Sequence, residues 1–210
     1  MVLEPRKSPV QARSTASVEA ILEATIQVLL SVGKERLTTT RVALRAGVSV
    51  GTLYQYFPNK AALLRAVLTR HLTLVTDAVE RVCREQEGNT LREMGAALVG
   101  AFLEAKMKDV KTSVALYSVS SDVDGVKILQ KMGARSNKAL VGMLASARDP
   151  LTRDPQMVAS MLQDALAGIS RRLLESSAPE RQFDGLRKEL VFFVCSYLEA
   201  CGGGRELLGT

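Results

Sequence analysis

Apolar residues in this chain recur every three or four positions almost throughout, and no stretch of useful length alternates as a half-buried strand would. The pattern predicts an all-α fold. Val18, Ile21, Leu22, Thr25, Val28, Leu29 and Val32 share one face, so a first helix should start between Ser14 and Ser17 and end at Gly33. Two short helices should follow, meeting at Gly47, whose missing Cβ admits the left-handed turn that such a junction demands. Thr38 is placed to cap the first, with Val42 and Ala46 on its inner face and Arg41 and Arg45 on its outer face. Ser49 is placed to cap the second. There Val50, Leu53 and Phe57 fall at i, i+3 and i+7 and form an apolar edge, while Gly51, Thr52, Gln55 and Tyr56 make a polar, nearly uncharged outer stripe. Pro58 stops that helix and Asn59 caps the next.

From there Leu63, Leu64, Val67, Leu68, Leu72, Val75, Val79 and Val82 predict one long helix that leaves the N-terminal unit and enters the rest of the chain. Gly88-Asn89-Thr90 is the clearest break. Leu91 to Met107 reads as a helix, followed by a shorter piece through Val114 to Tyr117, and the run SVSSDVDG reads as a loop or a weak turn. Val126 to Ala147 is helical in pattern, although Gly133 and Gly142 weaken it, and Asp149-Pro150 ends it. Two further helices close the chain, with apolar faces through Val158, Met161, Leu162, Ala165, Leu166, Ile169 and Leu173 and through Leu186, Leu190, Phe193, Val194, Tyr197 and Leu198. The glycines from Gly202 to Gly204 read as a frayed tail.

Charge adds a location. Residues 1 to 71 carry ten Lys and Arg against four Glu and no Asp, whereas the remainder carries eighteen of each sign, so the whole net charge of +6 sits around the short helix pair. That asymmetry points to a polyanion such as DNA. The first 13 residues, with Arg6, Lys7 and Arg13, read as a mobile basic arm. No signal peptide or membrane span is evident, and the three cysteines, Cys83, Cys195 and Cys201, form no CxxC pair, so reduced thiols in the cytoplasm are expected. Of the three, only Cys201 is expected to have the exposure a redox sensor needs. His71 is the sole histidine and lacks a second to share a metal. With no HExxH, GxSxG, GxxxxGK[ST] or GxGxxG motif, the chain is not expected to be an enzyme or to carry a cofactor.

Two short helices joined by a glycine turn, the second with an outward polar stripe, are the pattern of a helix-turn-helix, whose second helix enters the DNA major groove. The run VALRAGVSVGTLYQYFPNKAAL resembles the N-terminal domain of the TetR family of transcriptional regulators. Val42-Ala43, Ala46 to Ser49, Gly51 to Tyr54, Tyr56-Phe57 and Lys60 carry the resemblance. It implies a three-helix DNA-binding domain over residues 14–71 and a helical ligand-binding and dimerisation domain over residues 72–201. It also implies that Gly51, Thr52, Tyr54, Gln55, Tyr56 and Lys60 occupy DNA-contact positions, supported by Thr39, Thr40 and Ser49 from the helix ends.

The chemistry of these residues divides the work. Gln55 can donate and accept at an adenine edge, and Thr52 offers a hydroxyl and a methyl. Lys60 and the phenols of Tyr54 and Tyr56 suit phosphates, while Gly51 lets the backbone approach closely. Val50 departs from the family, which often has a basic or polar residue there. In relatives of this kind the last two helices pair with their copies across a two-fold axis, and Leu166, Ile169, Leu173, Leu190, Val194, Tyr197 and Leu198 are the residues expected at that homodimer interface. A small apolar effector is expected among Met94, Leu98, Phe102, Tyr117, Met132 and Leu140, although the same residues could simply fill the core. Three readings stay open: a ligand-responsive repressor of a palindromic operator, an activator of the same architecture, and a helical interaction module.

Overall fold

Nine helices and no strand make up residues 12–120 and 123–202, the part of the chain that the computed structural model describes. They are α1 (Ala12–Arg36), α2 (Thr39–Ala46), α3 (Val50–Tyr56), α4 (Lys60–Glu85), α5 (Leu91–Met107), α6 (Val110–Val119), α7 (Gly125–Ala145), α8 (Pro155–Glu175) and α9 (Pro179–Cys201). Of the basic arm expected over residues 1–13, residues 1–11 lie outside the described residues while Ala12 and Arg13 already belong to α1. Of the expected glycine tail, Gly202 caps α9, and Gly203 and Gly204 lie outside the described residues. Two compact units divide the chain. One is formed by residues up to Leu72 together with Lys111–Leu129, the other by Thr73–Val110 together with residues from Gln130 onward.

In the first unit α1 breaks at Gly33 (φ 75°, ψ 169°), the residue at which the periodicity stops. Its Ile21, Leu22, Ala24, Val28 and Leu29 are buried with Val42 and Ala43 of α2, Leu53 of α3 and Leu63, Leu64, Val67 and Leu68 of α4. The buried Thr25 satisfies its hydroxyl on the Ile21 carbonyl, 2.7 Å away, so it fits an apolar face without an orphaned polar atom. By length and hydropathy α1 could cross a membrane. Burial of its apolar stripe inside this unit accounts for that composition.

The segment Lys111–Leu129 joins this unit through polar contacts to both α1 and α4. Lys34 Nζ donates to the Ser118 carbonyl at 3.4 Å, Ser113 Oγ lies 3.2 Å from His71 Nε2, and Arg65 lies 3.8 Å from Asp124. Where the pattern suggested only a loop or weak turn, Asp124 adopts a left-handed φ of 53° and Gly125 opens α7. A Cβ on Gly125 would collide with the Ser120 carbonyl, so the turn requires glycine there.

The second unit is organised by α5 against α9. A Cβ on Gly95 would lie 2.9 Å from Leu198 Cδ1 and 3.1 Å from Val194 Cγ1, so the missing side chain is what allows these helices to pack so closely. Met94, Leu98, Val99 and Leu103 of α5 share the core with Val158, Leu162 and Leu166 of α8 and Leu190, Val194 and Leu198 of α9. Thr90 and Glu93 form a reciprocal capping box at the start of α5, a signature the periodicity does not reveal. On the other side of this unit Arg135 of α7 donates to Glu80 at 3.0 and 2.7 Å and to Asp77 at 2.9 Å, tying α7 to the second half of α4.

All three cysteines are buried free thiols. Burial pushes the Cys83 thiol up to about 12 and raises that of Cys195 as well. Cys201, expected to be the exposed one, is 1% exposed beneath the end of α9, which removes the access a redox sensor needs.

Candidate nucleic-acid interface

The junction between α2 and α3 is built by local chemistry. Thr38 stands before α2 in an extended conformation, and its Oγ1 accepts from the Arg41 amide at 3.3 Å. At the other end Gly47 takes φ 68° and ψ 27°, its amide donates to the Leu44 carbonyl at 3.2 Å, and the Val48 amide donates to the Ala43 carbonyl at 3.0 Å. These two crossed bonds are the left-handed glycine termination that a Cβ would penalise. Two residues later Ser49 caps α3, its Oγ accepting from the Thr52 amide at 2.9 Å. Asn59 Oδ1 then accepts from the Ala62 amide at 2.8 Å and starts α4.

Because Leu53 and Phe57 are buried, the opposite side of α3 is turned outward. Gly51, Tyr54 and Gln55 are exposed there, with Thr52 and Tyr56 half-buried, and Val50 is half-buried at the helix start. Two hydroxyl pairs order the surface. Thr39 Oγ1 lies 3.0 Å from Tyr54 Oη across the α2–α3 angle, and Ser49 Oγ lies 2.8 Å from Thr52 Oγ1. A Cβ on Gly51 would meet only Ser49 Oγ, at an ordinary 3.6 Å, so nothing within the chain requires glycine at this helical position. Thr40 is exposed in the first turn of α2.

Lys60 departs from the simple role its type suggests. Its Nζ donates to the Lys34 carbonyl at 2.5 Å, so one of its three hydrogens ties the start of α4 to the end of α1 and two remain for other acceptors. Sequence reasoning left Arg41 and Arg45 without a role, although they stand one turn apart on α2. Both are exposed, with Arg41 donating to the Arg36 carbonyl at 2.8 Å and Arg45 to Gln27 Oε1 at 2.6 Å. These contacts brace two cations on α2, and the signal available in advance was their i, i+4 spacing on a polar face. Among the described residues no group of three or more His, Cys, Asp or Glu could hold a metal.

The residues expected at a homodimer interface separate into two sets. Leu166, Leu173, Leu190, Val194 and Leu198 are buried within their own unit, Val194 with 0% exposure, so they stabilise the fold of the single chain. Ile169 and Tyr197 remain half-buried beside an open apolar groove of about 580 Å³, which Leu186, Phe192 and Phe193 also line. Phe192 is 70% and Phe193 51% exposed. The helix α9 is apolar on two sides, and periodicity alone does not tell the inner side from the outer. On α8 a Cβ at Gly168 would meet nothing within 4 Å, so this exposed glycine has no packing duty inside the chain.

The residues proposed for an effector site fare similarly. Met94, Leu98, Phe102 and Leu140 pack into the core cluster of the second unit and Met132 is buried as well, so they fill space here instead of lining it. Tyr117 belongs to the segment grouped with the first unit. Close to these residues in the chain, burial holds the Lys106 ammonium below the usual lysine range.

Comparison with known proteins gives two family matches on this chain. Residues 21–67 match the model described as bacterial regulatory proteins, tetR family, and residues 90–198 match the tetracyclin repressor-like C-terminal domain. The HTH-type transcriptional repressor KstR of Mycobacterium tuberculosis is 29% identical over 175 residues, covering 77% of this chain and 74% of that protein. A TetR-family regulator from Mesorhizobium loti superposes with a TM-score of 0.72 at 19% identity, over 90% of this chain and 98% of that one. The regulator FadR of Bacillus subtilis, solved in complex with stearoyl-CoA, superposes at 0.60 and 18% identity, over 90% and 99%.

Proposed function

Because this chain belongs to the TetR family of bacterial transcriptional regulators, we propose that it is a cytoplasmic, ligand-responsive repressor that binds a palindromic operator as a homodimer. The observation that carries the reading is the outer face of α3, where Thr52, Tyr54 and Gln55 surround a glycine that the chain does not need for its own packing. In this reading Gly51 lets the helix backbone approach the groove, Gln55 and Thr52 meet base edges, and Tyr54, Tyr56 and Lys60 meet phosphates. Thr39, Thr40 and Ser49 serve from the helix ends. Residues 14–71 act as the DNA-binding domain and residues 72–201 as the regulatory and dimerising one.

The dimer forms through the groove on α8 and α9. Phe192, Phe193, Ile169 and Tyr197 supply the apolar contact and Gly168 permits close helix approach. The effector is small and largely apolar; the structurally similar FadR of Bacillus subtilis was solved in complex with stearoyl-CoA. Its site lies among Met94, Leu98, Phe102, Met132 and Leu140, and it opens when those core residues part. Since α4 runs unbroken from Lys60 to Glu85, a repacking around its second half shifts the helix that begins at the DNA surface. Coupling on the usual scale of about 1 to 3 kcal/mol would change operator affinity roughly 5- to 150-fold.

Selection from a random DNA library tests this. Enrichment of an inverted repeat with half-sites about one helical turn apart or more is the expected result, and recovery of no enriched sequence would sink the claim. With the operator in hand, titration of acyl-CoAs and other hydrophobic metabolites should reveal one that weakens binding.

A further inference from the structure

We infer that Thr39 is a positioning residue that acts on DNA through the phenol of Tyr54, an inference that rests on the DNA-binding reading of α3. The two side chains are 15 positions apart in sequence, yet their hydroxyl oxygens are 3.0 Å apart where the start of α2 meets α3. Neither is needed elsewhere. Thr38, not Thr39, caps α2, since its Oγ1 takes the Arg41 amide and its carbonyl takes the Val42 amide at 3.1 Å. Tyr54 is 40% exposed, so it is partly held by neighbours and partly free to meet a partner.

Counting protons leaves two directions for the bond, and exposure chooses between them. Two hydroxyls carry two protons, and one of these lies between the two oxygens. If Tyr54 donates to Thr39, the phenol has only lone pairs left for a partner. If Thr39 donates to Tyr54, the phenolic proton is free to point outward, and accepting a bond makes that phenol a better donor. A phosphate oxygen can only accept, so the hydroxyl that meets it must keep its own proton free. Tyr54 is exposed and Thr39 is half-buried, which favours the second arrangement, a relay from Thr39 to Tyr54 to phosphate. In that relay the single proton of Thr39 is already committed. Thr39 therefore makes no phosphate contact with its own hydroxyl, and the two residues behave as one unit.

The same relay makes the pair neutral. No cation is involved, so removing it releases no counterions and leaves the salt dependence of binding alone, in contrast to the loss of a lysine or arginine contact.

The experiment measures operator affinity at several salt concentrations for the full chain and for Thr39→Val, Thr39→Ser, Tyr54→Phe and the double variant Thr39→Val/Tyr54→Phe. Loss of a hydrogen bond to a charged group predicts binding about tenfold weaker or more for Tyr54→Phe. Thr39→Val should weaken it about fivefold, as expected for losing the orientation of that bond. Thr39→Ser, which keeps the hydroxyl, should stay close to the parent. The double variant should bind no more weakly than Tyr54→Phe alone, with an unchanged salt slope throughout and unchanged thermal melting. Single effects that multiply in the double variant would show that Thr39 acts independently, and an inert Thr39→Val would show that it does nothing; either overturns the inference while DNA binding stands. Failure of the parent chain to bind any DNA would remove the DNA-binding reading and this inference with it.

Discussion

The outer face of α3 and the groove on α8 and α9 are alike in one respect and opposite in another. Each has an exposed helical glycine, Gly51 on α3 itself and Gly168 next to the groove-lining Ile169 on α8, at which an added Cβ would meet an ordinary contact or nothing. Glycine inside a helix costs about 1 kcal/mol relative to alanine, and the chain's own packing gives nothing back at either place. Around Gly51 stand hydroxyls, an amide and phenols, two pairs of them already hydrogen-bonded to one another. Around the groove near Gly168 stand Phe192, Phe193, Ile169 and Tyr197. In the proposed reading the glycines mark where a partner's surface comes close, and the neighbours point to what that partner is made of: polar edges and phosphates in one case, another apolar helix face in the other.

The sharpest way to break this comparison is to charge α9 on each of its two sides. Val194→Glu places an unpaired carboxylate in a fully buried position, at a cost of several kcal/mol, and should abolish the cooperative thermal transition. Phe193→Glu, one residue away but exposed, should keep native helicity by circular dichroism and sediment as a monomer. A folded Val194→Glu protein, or a dimeric Phe193→Glu protein, would mean that the two sides of α9 have been assigned the wrong way round.

A smaller effect separates the two glycines. Gly51→Ala and Gly168→Ala should each stabilise the isolated fold by about 0.5 to 1 kcal/mol in urea titrations. Gly51→Ala should then lose operator affinity with dimerisation intact, and Gly168→Ala should raise the dimer dissociation constant while a dimeric fraction still binds DNA. Loss of the same function in both would erase the distinction between the surfaces. The mildest test concerns the thiols. With Cys83 raised to about 12 by burial and Cys195 raised too, both stay protonated at neutral pH. A thiol reagent at pH 8 should react slowly with native protein and quickly after unfolding, and DNA binding should be indifferent to mild oxidants.

The sequence by itself determined the elements whose causes are local. Thr38, Ser49 and Asn59 cap the helices that the spacing assigned to them, Gly47 makes the left-handed turn and Gly33 interrupts α1, because capping and backbone conformation depend on a few neighbouring residues. The outward stripe of α3 was legible for the same reason: Leu53 and Phe57 fix which way the helix faces. Only the tertiary structure decided matters that rest on distant residues. It paired Thr39 with Tyr54, gave Lys60 a bond to the Lys34 carbonyl and grouped Lys111–Leu129 with the N-terminal helices. It also turned Val194 inward and Phe193 outward on a helix whose pattern is apolar on both. Periodicity reports that a face is apolar, but burial is shared out among all the helices that compete for it, and that division is settled only when they pack.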